Sequence, residues 1–335
     1  MAFLADSNDY YPSLREGMSP QVKRYKLLQE VYKKLSHNES PKISVVSFCL
    51  NSGRFLRETI ESVLKQTYKN YEHIIIDGGS TDNTIEILKE YSHLRWISEK
   101  EEGENPVLDA IWKGFDMAKG EYFIYLAISD GIYDKNWFKK SVEVLYSDNQ
   151  VSLVWGINMG ISEKGDLLGI AWTEFLENPP PQKMDFFPFW LASGHVFETN
   201  AVYRRNVIET CFPKNLPDEP YKYNPTLGFN YQLHTRGYLP YFLPIISFYG
   251  YHHKDQRQQA YYDLLDSVSK TYDKDRKLFR KNFLAGKVRH YFRDGSSNII
   301  REVTPDEISS YRKKIWKYRI KGKINRNVIK LLEHI

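Results

Sequence analysis

From residue 42 to about 156 the chain alternates short apolar, β-branched runs with segments of helical spacing, and this alternation narrows the folds open to it. "KISVVSFCL" reads as a fully buried strand. "NSGRFLRETIESVLKQT" follows as a helix opened by Asn51, Ser52 and Gly53, with Phe55, Leu56, Ile60, Val63 and Leu64 along one face. "YEHIIID" is a second strand, "TDNTIEILKEY" a second helix and "LRWIS" a third strand. "NPVLDAIWKGFDMAKG" is a helix with Pro106 suited to its first turn and Gly120 to its end. "EYFIYLAI", "KNWFKKSVEVLYS" and "VSLVWG" continue as strand, helix and strand. Such alternation predicts an α/β fold, a mostly parallel central sheet with helices on both faces. Ligands of such sheets bind beyond the carboxyl ends of the strands.

The flanks read differently. Residues 1–41 form a polar lead-in with one amphipathic helix around 21–36, broken by "SHNESP". After about residue 156 the alternation fades: "ENPPPQKMDFFPFWLASGHVFETN" is loop-like, Pro-rich and aromatic. "AVYRRNVIETCF" and "FNYQLHTRGY" read as helices and "LPYFLPIISFYGYHH" as strand pairs. From residue 255 the chain reads as basic amphipathic helices with one polar break, "RDGSSN". The net charge of +5 conceals an asymmetry, because the stretch from Lys254 onward holds 21 Lys and Arg against 10 Asp and Glu. Two cysteines, Cys49 and Cys211, make neither a disulfide framework nor a zinc site, so a reducing compartment is expected. The N-terminus lacks a basic stretch followed by an apolar run, and no segment approaches the roughly 18–20 apolar residues of a membrane span, so a cytoplasmic protein is expected.

The chemistry concentrates where strands end. "HIIIDGGSTDNTIEILKEY" runs a buried strand into Asp77, Gly78, Gly79, Ser80, Thr81 and Asp82. The glycines let the backbone approach a ligand or take positive φ. Asp77 can accept a hydrogen bond from a base imide or ribose hydroxyl, and Ser80, Thr81 and Asp82 are cap residues for the next helix. A plain capped turn is the competing reading. Asp109 and Lys113 stand four apart on one helix, either as an i,i+4 ion pair or as ligand contacts at its end. In "YLAISDGIYDKNW" a strand delivers Asp130 to the sheet edge, where one carboxylate can hold Mg²⁺ or Mn²⁺ bridged to a diphosphate, or else cap a helix. The absence of G-x-G-x-x-G after the first strand disfavours a dinucleotide-dependent dehydrogenase, and the absence of G-x-x-x-x-G-K-[ST] a P-loop NTPase.

Taken in order, the strand ending in Asn51, "IIIDGGSTDNTIEILKEY" and "WISEKEEG…LDAIWKG…AKGEYFIYLAISDGIYD" resemble the nucleotide-binding half of family 2 glycosyltransferases of GT-A fold, in the bacterial branch that builds surface polysaccharides. The resemblance implies a nucleotide-sugar-binding half over 42–156 and an acceptor-side half over 157–254, set between the lead-in over 1–41 and the basic helical extension over 255–335. It implies a hexosyl transfer from a UDP- or GDP-sugar, UDP favoured, to a polysaccharide or lipid-linked glycan, with Mn²⁺ or Mg²⁺ as cofactor. By position, Asp77 would contact the base or ribose, with Gly79 and Ser80 beside it. Asn51, Asp109 and Lys113 would line the nucleotide pocket. Asp130 would stand at the metal motif, with His253 as a metal or phosphate contact.

Two positions depart from that pattern. The metal motif usually carries two acids, and here the run is Ser129-Asp130-Gly131. An inverting transferase needs a base to deprotonate the acceptor hydroxyl, and the family's acid before the helix Asp-Tyr-x-Leu-x-x-Arg is Asn230 in "FNYQLHTRG". Glu198, Asp218 and Glu219 are the candidate bases nearby. Phe187, Phe189 and Trp190 either stack an acceptor or fill the core. The basic tail interleaves Ile, Trp and Tyr with Lys and Arg, which suits peripheral attachment to an anionic inner membrane face; no nucleic-acid motif accompanies it. The rival readings are a degenerate transferase that binds donor without turnover, and a sugar nucleotidyltransferase. The latter needs a Gly-rich basic phosphate loop, where "FCLNSGRFLRE" offers one Gly and Arg54.

Overall fold

The structure, a computed structural model, describes residues 42–100, 106–171, 173–193, 200–214, 221, 224–253 and 262–332, with side chains left out of the description at 262–265 and 321–332. The expected lead-in helix lies outside the described residues.

The alternation is realised as β1 (Ile43–Cys49), α1 (Gly53–Leu64), β2 (Tyr71–Asp77), α2 (Thr84–Glu90), β3 (Arg95–Ser98), α3 (Pro106–Met117), β4 (Tyr122–Ala127), β5 (Asp130–Ile132), α4 (Trp137–Ser147) and β6 (Val151–Ser162). Then come β7 (Leu167–Ile170), α5 (Glu174–Glu177), α6 (Phe186–Ser193), β8 (Val202–Arg204), α7 (Arg205–Cys211), α8 (Pro225–Thr235) and β9 (Leu239–His252). One nine-stranded sheet has the order β3-β2-β1-β4-β8-β6-β9-β5, with β7 paired to β6. β1 is parallel to β2 and β4, β2 to β3, and β6 to β9. β8 is antiparallel to β4 and β6, β5 to β9 and β7 to β6. Six strands therefore run one way, the mostly parallel α/β sheet that the GT-A resemblance implies.

The isoleucine run shows why both faces are covered. Side chains of a strand alternate between faces. Ile74 and Ile76 join Ile111 and Phe115 of α3 in one core, whereas Ile75 meets Leu56 and Ile60 of α1 and Ile87 and Leu88 of α2 on the other. These side chains are almost wholly buried, so truncating any one of them costs about 2–5 kcal/mol.

The chain order 1-2-3 runs outward from β1, and β4 then pairs with the opposite side of β1. The edge between the ends of β1 and β4 is thus the switch point where such sheets hold ligands.

Two elements differ from expectation. "LPYFLPIISFYGYHH" is a single long strand rather than strand pairs. The ladder with β6 skips from Trp155–Phe242 to Ile157–Ile246, which places Pro244 in a bulge where its missing N–H breaks no pairing. The basic C-terminal stretch is not purely helical. Between α9 (Tyr262–Leu284) and α10 (Ile308–Leu332) lies the hairpin β10 (Tyr291–Arg293) and β11 (Ile299–Glu302). The polar break closes it: the Asp294 carboxylate accepts from the backbone N–H of Ser296 (2.9 Å) and Asn298 (2.8 Å).

This C-terminal extension packs on α6. Phe187 stacks on His290 at 3.7 Å between ring centroids and meets Phe283, Phe292 and Tyr311 edge-on. Trp190 is fully buried and donates to the Tyr272 hydroxyl at 2.6 Å. Phe189 is half-buried against Phe175, Phe186 and Tyr318. The acceptor-stacking alternative for these rings gives way to the core reading, because the extension covers them.

Candidate functional site

Asp77 ends β2 with no exposed surface. A buried carboxylate needs compensating donors, and here the loop it precedes supplies them. Oδ2 accepts from the N–H of Gly79 (3.1 Å) and Ser80 (2.9 Å) and from the Ser98 hydroxyl (2.6 Å). Oδ1 accepts from the Ser80 hydroxyl and from the Cys49 thiol at 3.4 Å. Five donors match or exceed a carboxylate's lone-pair sites. Burial, and then the Asp77 charge, push the Cys49 thiol far up, so it stays protonated. Gly79 takes φ +83° with Lys100 backbone close by, a conformation that disfavours any side chain.

The loop after β1 is stitched to this one. Asn51 takes φ +50°, and its N–H donates to the Ser80 hydroxyl at 2.7 Å. Its carboxamide oxygen accepts from Thr81 N–H at 2.8 Å. Ser52 N–H donates to the Thr84 hydroxyl (2.9 Å) and Gly53 N–H to Asp82 Oδ2 (3.0 Å). Asp82 Oδ1 accepts from Thr84 N–H at 3.0 Å. Asp82 therefore accepts from the first N–H of both helices, Thr84 of α2 and Gly53 of α1, although the N-cap position of α2 is Asn83 rather than Asp82. Asn51 and Ser52 were the expected openers of α1, yet the Ser52 side chain makes no capping bond. Burial alone would raise the Asp82 carboxyl, but hydrogen bonds from Thr84 and Gly53 outweigh it and hold the group low. A Cβ on Gly53 would sit 1.9 Å from Asn83 Oδ1, so a side chain there would have to push the Asn83 carboxamide aside.

Asp109 lies in the first turn of α3, half-buried, with no hydrogen bond or ion pair among the described residues. Lys113 pairs with Glu99, just past β3, at 3.3 Å rather than with Asp109. Asn51, Gly79, Ser80 and Asp109 thus all stand on loops or first turns at the carboxyl edge of the parallel strands.

At the other side of that edge, Ser129 takes φ +93° and turns the chain into β5. Asp130 pairs with Gly250 of β9 and is half-buried. Thr59 of α1 donates to its backbone oxygen at 2.7 Å, and Asn200 Nδ2 donates to Oδ2 at 3.1 Å. A Cβ on Gly250 would lie 2.9 Å from Oδ1, so glycine leaves that oxygen its room. Gly131 has a direct cause: a Cβ there would lie 2.1 Å from Cζ of Tyr249. The Tyr249 ring fills the place of a second acid. Its phenol is pushed far up by burial and by a hydrogen bond to Glu58, to which Tyr251 also donates at 3.0 Å. His253 follows β9, three residues beyond the partner of Asp130, with its ring 4.6 Å from Phe55 of α1. Among the described residues no group of three His, Cys, Asp or Glu side chains converges to hold a metal. Among the described residues the carboxylate at this edge is that of Asp130, and one carboxylate suffices for a hard cation only when ligand phosphates complete the shell.

Glu198, Asp218 and Glu219 lie outside the described residues. Asn230 is buried in α8 and donates to the Thr226 carbonyl at 3.0 Å. Sequence reasoning missed Asn200, Tyr249 and Glu58. No local pattern marks them, because each reaches the edge through strand pairing or packing distant in sequence.

A family model described as "Glycosyl transferase family 2" matches residues 44–212. Glycosyltransferase GlyG of Streptococcus pneumoniae serotype 4 is 38% identical over 112 residues, 32% of this chain and 35% of that protein. An uncharacterized glycosyltransferase of Nostoc sp. is 27% identical over 181 residues, 51% of this chain and 53% of that one. Against the first curated relatives the chain spans 21% to 53% of their lengths. The crystal structure of S. aureus TarS 1-349 in complex with UDP-GlcNAc matches with TM-score 0.47 and 17% identity, covering 68% of this chain and 66% of that one. Likeness at that level does not bear on chemistry.

Proposed function

The chain belongs to glycosyl transferase family 2, and we propose that it moves a hexosyl unit from a nucleotide-sugar, a UDP-sugar by preference, to a polysaccharide or lipid-linked glycan. The observation that carries this reading is the pair of loops, Asn51–Gly53 and Gly78–Asp82, stitched to each other at the switch point, with Asp130 at the same edge.

In this reading Asp77 is a positioning residue. Its oxygens are taken by the loop's own donors, so a base or ribose meets Asp77 only by displacing one of them; otherwise the shaped backbone makes the contact. Asn51, Gly79, Ser80 and Asp109 line the nucleotide pocket, and Lys113 neutralises charge near it. Asp130 would hold Mn²⁺ or Mg²⁺ together with donor diphosphate oxygens, with His253 as a further phosphate or metal contact. That cation, when bound, offsets the negative charge developing on the diphosphate. The acceptor hydroxyl attacks the anomeric carbon as the bond to the diphosphate breaks, which inverts that centre. The proton of the hydroxyl goes to a base drawn from Glu198, Asp218 and Glu219.

A second reading has its own observations. Asn230 cannot act as a base and Tyr249 excludes a second acid, as in a protein that binds donor without turnover. One experiment separates the two. Purified protein is screened against UDP-, GDP- and dTDP-sugars with and without Mn²⁺, following thermal shift and nucleotide release together. A cation-dependent shift with slow nucleotide release, lost in one of the Glu198→Ala, Asp218→Ala or Glu219→Ala variants, is expected. A shift without release in the presence of acceptor extracts would establish the binding-only reading, and no shift with any donor would overturn both.

A further inference from the structure

Helix α10 has two apolar faces, and among the described residues the body of the protein covers one of them. Tyr311 and Ile315 are buried and Tyr318 meets Phe189 edge-on, which fixes one face against α6. Lys314 pairs with Asp185 at 2.7 Å and Arg312 donates to the Leu284 carbonyl at 3.1 Å, so the helix is held down at both flanks. The opposite face should then be polar. It instead carries Trp316, 67% exposed, and Ile320, 37% exposed. At 3.6 residues per turn these positions share one face with Lys313 and Lys317. The helix itself runs on to Leu332.

Charge distinguishes the occupants. The 25 residues of α10 include nine Lys and Arg and no acid. Among the residues whose side chains are described, Lys314 and Lys317 border the stripe on one side and Arg312 and Arg319 on the other. A second copy of the chain docked on this stripe would bring cationic border against cationic border. A nucleic acid would satisfy the cations and leave the stripe in water. An anionic bilayer surface satisfies both, with acyl chains beneath the stripe and headgroups beside the cations. No helix among the described residues is long and apolar enough to cross a membrane, so contact would be in the plane of the interface.

We propose that α10 docks this protein on an anionic lipid surface through the Trp316–Ile320 stripe. This inference is independent of the proposed sugar transfer, and its test uses no donor or acceptor. Full-length protein is mixed with vesicles of phosphatidylcholine alone or with increasing phosphatidylglycerol, and partitioning is followed by co-sedimentation and tryptophan emission. Binding should rise with the anionic fraction, fall with added salt and shift the emission to the blue. Lys313→Gln with Lys317→Gln should weaken it roughly fivefold per charge removed. Trp316→Ala with Ile320→Ala should weaken it at least about tenfold and abolish most of the emission shift. All four positions are solvent-exposed, so thermal unfolding should be unchanged and serves as the control for folding. The proposal is overturned if binding is equal on neutral vesicles or survives loss of Trp316 and Ile320. It is equally overturned if the protein binds DNA but no vesicles, or if Trp316→Ala dissolves a dimer seen by sedimentation.

Discussion

Replacing Asp77 with alanine removes the acceptor for five donors at once. Two are backbone N–H groups, Gly79 and Ser80, and three are the side chains of Ser80, Ser98 and Cys49. The hydroxyls and the thiol can turn to other acceptors or water, whereas the N–H groups are fixed by the loop backbone. A hydrogen bond to a charged group is worth about 1.5–3 kcal/mol. Losing two of them, and regaining part through water in a half-exposed loop, leaves a cost of about 2–4 kcal/mol. Asp77→Asn keeps the shape; its amide can face the Ser80 hydroxyl and leave Oδ2 in place, so about 1–2 kcal/mol is expected. Urea unfolding of the three proteins measures both values, and donor affinity by calorimetry should fall at least about tenfold in the alanine variant. Equal urea midpoints with donor binding abolished would refute the reasoning, since Asp77 would then be a direct ligand and not the organiser of its loop.

Gly131→Ala should cost at least about 2 kcal/mol through overpacking against the Tyr249 ring, and much less in a Tyr249→Ala background; an additive double-mutant cycle in urea would contradict the steric account. Asp82→Ala should cost about 1–2 kcal/mol by uncapping α1 and α2 together, more than Ser52→Ala, which touches no capping bond. Burial lowers His73, His234 and His290 to about 3 each. The unfolded chain takes up those protons below its ordinary pKa near 6.5 while the folded chain does not. Stability is therefore full above about pH 6.5 and falls as the pH drops toward 3, by up to about 1.4 kcal/mol per pH unit for each histidine. Urea midpoints across pH 7 to 5 measure this, and His73→Gln should flatten the curve. Asp130→Asn should abolish the Mn²⁺-dependent part of a donor-induced thermal shift while leaving the metal-free part.

How much of this was legible in the sequence depends on the range of the interaction. The elements of residues 42–156 follow from the spacing of residues such as Ile74, Ile75 and Ile76, because period-two and period-3.6 patterns are local. The position of Asp77 at a strand tip is equally local. The partner that caps α1 is not: Asp82 lies 29 residues from Gly53. Gly131 reads as a missing acid until Tyr249 is seen above it, 118 residues later. In the sequence, residues 239–252 read as strand pairs, with Pro240 and Pro244 in place of breaks, and only the β6 register shows the bulge that absorbs Pro244. Phe187 and Trp190 could stack an acceptor or fill a core by composition alone, and only the fold of the C-terminal extension decides between them.

The most direct test of the proposed donor site is amide hydrogen exchange of the purified protein with and without a saturating UDP-sugar and Mn²⁺. The account predicts slowed exchange at residues 51–53, 78–84 and 129–131, with the remainder of the sheet unchanged. Protection confined to other segments, or no protection at any donor concentration, would contradict the placement of the nucleotide-sugar at the switch point between β1 and β4.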